Sequence, residues 1–296
     1  MKVLVTGAVG QLGSDVVQEL KKRNIEVIAT DVRGDVDDFL DITNINEVKM
    51  VLHQEKPDAI IHPAAWTNVD GAEDIENKQK VYEINVLGTR NIAKIAKEID
   101  AKVLYISTDY VFEGSGKTPH KPDDKNFGPE SYYGQTKLEG EKEIIANLEK
   151  FFIVRIAWAF GENGNNFVKT MLRLSETHDS LTVVDDQIGT PTYTKDLARL
   201  LVDIISSDKY GYYHATNSGG YISWATFAKE IFAQAKRNTN VIPISTADYL
   251  ASKAKRPLNS RLDKSKLKEN GFKPLPSWKN ALHRYLINEG IITKDE

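Results

Sequence analysis

Cysteine is absent from the 296 residues, which removes any disulfide framework and any thiolate metal site. Apolar runs are short: none approaches the ~20 residues that a membrane-spanning helix needs. Met1-Lys2-Val3 leads straight into a strand rather than a signal peptide, so the cytoplasm is the expected location. Neither sign of charge dominates. A net charge of -3 gives no general electrostatic case for nucleic acid. Repeats and low-complexity tracts are missing too. What remains is ordinary globular composition, 41% hydrophobic and 27% charged, in a chain long enough for one large α/β unit or two lobes.

Within that composition, β-rich runs alternate with amphipathic stretches. Val3-Leu4-Val5-Thr6 reads as a strand, and Gly7-Ala8-Val9-Gly10-Gln11-Leu12-Gly13 follows before a helix to about Arg23. Glycines at this spacing between strand and helix let the backbone approach a pyrophosphate, with free N–H groups and the positive end of the dipole facing the anion. Gly7, Gly10, Gln11 and Leu12 are therefore candidate cofactor contacts; the bland alternative is a tight turn without a ligand. A second strand, 26–30, ends at Asp31, where an acid commonly hydrogen-bonds the adenosine ribose. Arg33, two residues on, suits a 2′-phosphate instead, so NADH and NADPH both stay open. Asp41 and Ile42 are candidates for the adenine, with a surface-loop acid as the alternative.

The next apolar run, 58–62, opens into Pro63-Ala64-Ala65-Trp66-Thr67, where small residues at a strand's carboxyl end leave room for a ligand. His62 at that strand end reads as a packed residue rather than a base. Residues 81–99 read as one long helix with Asn85 inside it, a poor interior helix residue that suggests a polar role near a site. Strands at 103–106 and 151–156 flank a helix to about Leu148. Later, 167–177 is expected as a helix and 181–184 as a strand; helix 194–206 and strand 211–215 are expected to return to the main sheet. Helices at 223–236, with Ser223 as N-cap, and from Trp278 complete the chain. Six alternations of strand and helix predict a doubly wound parallel sheet of Rossmann type with a smaller C-terminal lobe. The expected division is 1–158 plus about 193–215 for the dinucleotide, and about 159–192 plus 216–296 for the substrate.

The chemistry concentrates between Tyr105 and Lys137. Thr108 stands at a strand end, and Tyr133-Gly134-Gln135-Thr136-Lys137 opens a helix, placing Tyr133 and Lys137 on one face while Tyr132 points away. A hydroxyl, a phenol and an ammonium at one site suit carbonyl reduction. The phenol gives a proton to the oxygen as hydride reaches the carbon, and a neighbouring cation is expected to lower its pKa from about 10. A Tyr four residues before a Lys is common by accident; its context supplies the weight.

Together, Thr6 to Gly13, Ala64-Ala65 with Thr67 and Val69-Asp70, Asn85 to Thr89, Ser107 to Phe112, Tyr133 to Glu141, Gln187 to Thr192 and Arg256 to Ser260 resemble an extended short-chain dehydrogenase/reductase. Nearly the whole chain is similar to the dTDP-4-dehydrorhamnose reductase family, departing from its pattern at Pro63 and Trp66. The resemblance implies NADPH- or NADH-dependent reduction of the C4 keto group of a dTDP-linked 6-deoxy-L-hexulose. It makes Thr108, Tyr133 and Lys137 catalytic, with Tyr133 and Lys137 also on the cofactor and Ala64, Ala65 and Thr67 beside it. It sets Thr108, Asp109 and Trp158 at the sugar, and Arg256 and Asn259 near the diphosphate. Related dehydratases carry Asp-Glu after the catalytic Thr; here Asp109 is followed by Tyr110, which favours a simple reductase. Some relatives dimerise around Mg2+ held by glutamates near the chain ends, for which Asp15 is the first-helix candidate here; monomer and homodimer both stay open. Two other readings accompany this one: a reductase of another nucleotide-linked 4-keto sugar, and a non-catalytic regulatory subunit of the methionine adenosyltransferase type.

Overall fold

The computed structural model describes residues 1–249 and 251–294. In chain order the strands are β1 (Lys2–Thr6), β2 (Glu26–Asp31), β3 (Asp38–Phe39), β4 (Ala59–His62), β5 (Lys102–Thr108), β6 (Phe151–Ile156), β7 (Ala159–Phe160), β8 (Ser180–Val184), β9 (Ile188–Gly189), β10 (Thr192–Tyr193), β11 (Gly211–His214), β12 (Ile222–Ser223) and β13 (Asn240–Ile244). The helices are α1 (Gln11–Lys22), α2 (Ile45–Glu55), α3 (Ile75–Tyr82), α4 (Thr89–Glu98), α5 (Tyr132–Asn147), α6 (Phe167–Ser175), α7 (Thr194–Ile205), α8 (Trp224–Gln234), α9 (Ser265–Glu269) and α10 (Trp278–Asn288).

Seven strands form one sheet in the order β11-β6-β5-β4-β1-β2-β3, every pair parallel. Parallel strands are buried on both faces, which is why they read as continuous apolar runs. Alternation splits their side chains. Val3, Val5, Leu104 and Ile106 pack with Val16 and Leu20 of α1 and Leu197 and Leu201 of α7. Leu4, Ile60, Val103 and Tyr105 pack on the other face with Leu52 of α2, Ile92 and Ala96 of α4 and Ile144 of α5. Strand order reverses between β1 and β4, and a ligand crevice is expected at the carboxyl ends of strands at such a point. As expected, α7 and β11 join this unit, with β11 on the outer edge beside β6.

A second core gathers Phe160, Val168, Tyr193, Phe227, Ile231, Trp278 and Tyr285 from α6, α8, α10 and short strands. Ser223 caps α8 by accepting from the Thr226 N–H at 3.0 Å. The pair β8–β13 is parallel and contains Pro243. No helix among the described residues is long and apolar enough to cross a membrane.

One expected element differs. The helix read as 81–99 is three pieces: the end of α3, a π-helical stretch Glu83–Gly88, and α4. π segments often mark functional positions, and Asn85 lies inside this one.

Candidate active site

β5 delivers Thr108 at its carboxyl end, and α5 delivers Tyr133 and Lys137 one turn apart. Two caps fix where α5 starts. The Ser131 hydroxyl accepts from the Gly134 N–H at 3.2 Å, and the Tyr132 N–H donates to Glu73 Oε1 at 2.7 Å. A Cβ on Gly134 would overlap the Tyr110 carbonyl, so glycine lets the helix start directly against the turn after β5. Tyr132 points elsewhere, its hydroxyl donating to the Lys78 carbonyl. The Thr108 hydroxyl donates to Asp109 Oδ1 at 2.9 Å and accepts from the Tyr110 N–H at 3.3 Å.

Burial dominates the electrostatics. It raises the Tyr133 pKa, the negative Asp109 adds to the rise, and the nearby Thr108 hydroxyl opposes it. Lys137 was expected to draw that pKa down; instead the phenol is held protonated, as a proton donor must be. Lys137 is itself buried, which pulls its ammonium down to about 7 against the opposing charge of Glu141. Asp109 is buried, and its Oδ2 has no hydrogen-bond partner. Burial pushes this carboxyl up to about 6, opposed by the Ser260 and Thr108 hydroxyls.

Beneath these groups lies a buried polar network that sequence reasoning missed. Arg155 on β6 forks onto Glu141 of α5, Nε to Oε1 at 2.8 Å and Nη2 to Oε2 at 2.7 Å. Ser107, next to Thr108, donates to the same Glu141 Oε1 at 2.5 Å, and Arg155 Nη1 donates to the Pro122 carbonyl at 2.9 Å. The network ties the strand carrying Thr108 to the helix carrying Tyr133 and Lys137. Asn85 adds a second tie. Its Oδ1 accepts from the Trp66 N–H at 2.8 Å, and its Nδ2 donates to Thr136 Oγ1 at 3.1 Å. His62 is fully buried between the hydroxyls of Thr6 (2.7 Å) and Thr89 (3.2 Å), and burial drives its pKa down to about 3. It is a packed neutral residue.

The glycine turn fits a dinucleotide. Gly7 takes φ +60°, and a Cβ on Gly13 would overlap the Gly7 carbonyl. Gly10 caps α1 without a side chain, so no side-chain cap blocks the first-turn N–H groups, those of Gln11 and Leu12 among them. The Gln11 Oε1 accepts from Asn166 at 3.3 Å. Half-buried Ala64 lies against Gly7, Ala65 follows it, and Thr67 is exposed. Asp31 is buried at the end of β2 and accepts from the Val9 N–H at 3.2 Å, whereas Arg33 is exposed. Asp41 is taken up locally, accepting from the Thr43 N–H (2.9 Å) and hydroxyl (2.8 Å), and Ile42 is buried against Gly88.

The opposite wall comes from the C-terminal half. Trp158 stacks on Trp224 with centroids 3.7 Å apart, and it adopts φ +50°. Gly189, within the 187–192 stretch, faces its indole edge. Asn259 is buried, its Nδ2 donating to the carbonyls of Thr118 (2.9 Å) and Ser115 (3.2 Å); its amide holds the 115–120 loop. Arg256 faces Asp70 rather than open solvent, with Nη2 to Oδ2 at 2.7 Å.

Comparison with known proteins covers nearly the whole chain. The family model described as RmlD substrate binding domain matches residues 1–290. The chain belongs to that family. A dTDP-4-dehydrorhamnose reductase of Aggregatibacter actinomycetemcomitans is 41% identical, across 95% of this chain and 97% of its own length. The spore coat polysaccharide biosynthesis protein SpsK of Bacillus subtilis is 39% identical across 96% of each. A crystal structure of dTDP-4-dehydrorhamnose reductase from Bacillus anthracis, in complex with NADP, superposes with a TM-score of 0.90 at 41% identity, covering 97% of this chain and 100% of that one.

Of the residues implied for Mg2+ in this member of the RmlD family, the first-helix candidate Asp15 offers little to a cation. Asp15 is buried beside Thr194 and Lys195, and burial raises its carboxyl pKa. Among the described residues, no group of three or more His, Asp or Glu is disposed to hold a metal ion.

Proposed function

We propose that this chain reduces the C4 keto group of dTDP-4-dehydro-6-deoxy-L-mannose (dTDP-6-deoxy-L-lyxo-4-hexulose) to give dTDP-L-rhamnose, the last step of dTDP-rhamnose synthesis. NADPH or NADH, held along the Gly7–Leu12 turn with Asp31, Ala64 and Ala65 at its flanks, supplies the hydride to C4. The protein supplies the proton. Tyr133, kept protonated by burial, gives its phenolic proton to the C4 oxygen as charge develops there. Thr108 is assigned as a donor to the same oxygen, and Lys137, one turn along α5, is assigned to the tyrosinate left behind and to the ribose hydroxyls of the bound cofactor. Fixed donors in a buried site need little reorganisation, which is where most of the barrier reduction arises.

One observation carries this reading. Thr108 neighbours Tyr133 closely enough to oppose the rise of its pKa, and Tyr133 and Lys137 stand one turn apart on α5, while the position after Asp109 holds Tyr110, whose pKa burial also raises. With no second carboxylate there, the site suits one proton and one hydride, as reduction needs, better than elimination of water. Trp158 with Trp224 is assigned to the sugar face, and Arg256 to the diphosphate. Residues 1–158 with 193–215 are assigned to the cofactor, and 159–192 with 216–296 to the substrate. Nicotinamide and nucleotide-sugar pools favour the cytoplasm.

The test follows nicotinamide absorbance after supplying dTDP-6-deoxy-L-lyxo-4-hexulose made in situ. Wild type should oxidise NADPH or NADH, and Tyr133→Phe should lose about 10²- to 10⁴-fold in rate while still binding cofactor. Cofactor binding without turnover in wild type would refute the assignment.

A further inference from the structure

Asp70 stands on the loop that leaves β4, the same loop that passes Ala64 and Ala65. Its carboxylate gathers donors from one short stretch near the other end of the sequence. Oδ1 accepts from the Ser252 hydroxyl (3.1 Å), the Lys253 N–H (3.1 Å), the Ala254 N–H (3.0 Å) and Arg256 Nη1 (3.1 Å). Oδ2 accepts from Arg256 Nη2 at 2.7 Å. Two further ion pairs hold the same stretch from outside, Lys253 to Asp74 at 2.7 Å and Lys255 to Glu130. Those two lysines are well exposed, 65% and 71%, and such pairs contribute little. Asp70 is the anchor.

What it anchors is a guanidinium with an unused edge. Arginine has five N–H donors in a rigid plane. Nη1 is committed to Asp70, Ser252 and the Ala254 carbonyl, and one Nη2 hydrogen to Asp70. Nε has no acceptor among the described residues, and the second Nη2 hydrogen is also open. Together they form one bidentate edge of the kind that matches two phosphate oxygens. The guanidinium lies close enough to Tyr110 for each to influence the other's protonation, and Tyr110 meets the Tyr133 ring edge-on with centroids 5.6 Å apart. The guanidinium is thus separated from the Tyr133 ring by Tyr110 alone in this chain of neighbours.

We infer that Asp70 is a positioning residue for substrate: it fixes residues 252–256 across the site and turns the Nε–Nη2 edge of Arg256 toward the diphosphate of the nucleotide sugar. The inference rests on the assignment of Arg256 to the diphosphate above. A free arginine would lose rotamer freedom on binding the diphosphate; one already forked onto Asp70 has lost it in advance. Glu73, three residues on, holds the first turn of α5 through the Tyr132 N–H. One loop thus sets both the phosphate contact and the start of the catalytic helix.

The test titrates dTDP, and separately NADP, into wild type, Asp70→Asn, Arg256→Met and the double variant, with thermal melting of each. Expected is a loss of dTDP affinity of about tenfold or more in each single variant, with NADP affinity within about twofold of wild type. The double variant should bind dTDP no more weakly than Arg256→Met, since the two residues act as one unit. Wild-type dTDP affinity in Arg256→Met would refute the diphosphate assignment, and the inference with it. Weak binding in Arg256→Met beside wild-type binding in Asp70→Asn would overturn the inference alone. Equal losses of dTDP and NADP in Asp70→Asn, with a lowered melting temperature, would reduce Asp70 to a structural role and overturn it too. Should Asp70→Asn not fold, Asp70→Glu, which keeps the charge but displaces it, takes its place with the same outcomes.

Discussion

The Lys137 ammonium lies 4.1 Å from the centre of the Tyr105 ring, on the face of a side chain that rises from the strand beneath it. Among the described residues no carboxylate pairs with this buried cation, so the ring's negative face is its close attractive contact. Burial, opposed by the charge of Glu141, pulls Lys137 down to about 7 in the folded protein against an ordinary value near 10.5. Between those values the unfolded chain binds more protons, so this group makes stability rise with pH across the window. Lys137→Met should melt higher than wild type at pH 7, with the difference shrinking toward pH 10. A difference independent of pH in thermal melts would contradict this.

Asp109 has the opposite sign. Its folded pKa near 6 exceeds the ordinary 3.8, so its contribution is present at low pH and is lost as pH rises through 6. Asp109→Asn should therefore gain melting temperature relative to wild type between pH 4 and 7, and level off above. If the assignment of Asp109 to the sugar holds, the same variant should also raise KM for the sugar nucleotide, because Oδ2 is left without a partner inside the protein.

Glu141→Gln tests the network under the site. Removing one partner of a fully buried pair strands the other charge, which costs about 3–5 kcal/mol. Chemical denaturation should show that loss, and Glu141→Leu with Arg155→Met should recover a large part of it. A loss under about 1 kcal/mol in Glu141→Gln would mean Arg155 is adequately solvated by its Pro122 carbonyl and aromatic neighbours.

Asp31→Ala should shift cofactor preference. A buried carboxylate at the end of β2 suits ribose hydroxyls and repels a 2′-phosphate. Its removal should raise the NADPH/NADH ratio of kcat/KM by about tenfold, or ~1.4 kcal/mol. An unchanged ratio in steady-state kinetics would shift the discrimination to Arg33.

Thr108→Val should cost about 10²-fold in kcat, the usual effect of removing one donor to a developing oxyanion. Because Thr108 also accepts from the Tyr110 N–H, Thr108→Ser should recover much of the rate. A serine variant as slow as the valine one would show that the hydroxyl alone is not enough and that the methyl group is needed to hold it in place.

The main sheet was legible because parallel strands are continuous apolar runs, and the glycine turn because its spacing sits between a strand and a helix. Tyr133 and Lys137 were legible because helical periodicity is local. What escaped depends on distance. Arg155 looks anomalous in an apolar strand, and nothing in its flanks names Glu141. Asp70 and Arg256 are 186 residues apart. The π segment was hidden because apolar spacing continues through it, and the altered winding shows only in the backbone of residues 83–88. Strand β13 is hard to read from sequence, since Pro243 looks like a strand breaker, and it is tolerated in the two-stranded β8–β13 pair. Asn259, expected near the diphosphate, has its amide spent on two loop carbonyls, a commitment made by chain folding around residues 115–118.

Trp158 holds a left-handed backbone that a non-glycine residue adopts at about 1–2 kcal/mol. Its indole is kept there by the stack on Trp224. Glycine at 158 would relax the backbone but forfeit that stack, and the lost aromatic contacts outweigh the relief. The aromatic pair thus acts as a latch on an unfavourable turn, and the chain stays bent at 158 only while both rings are present.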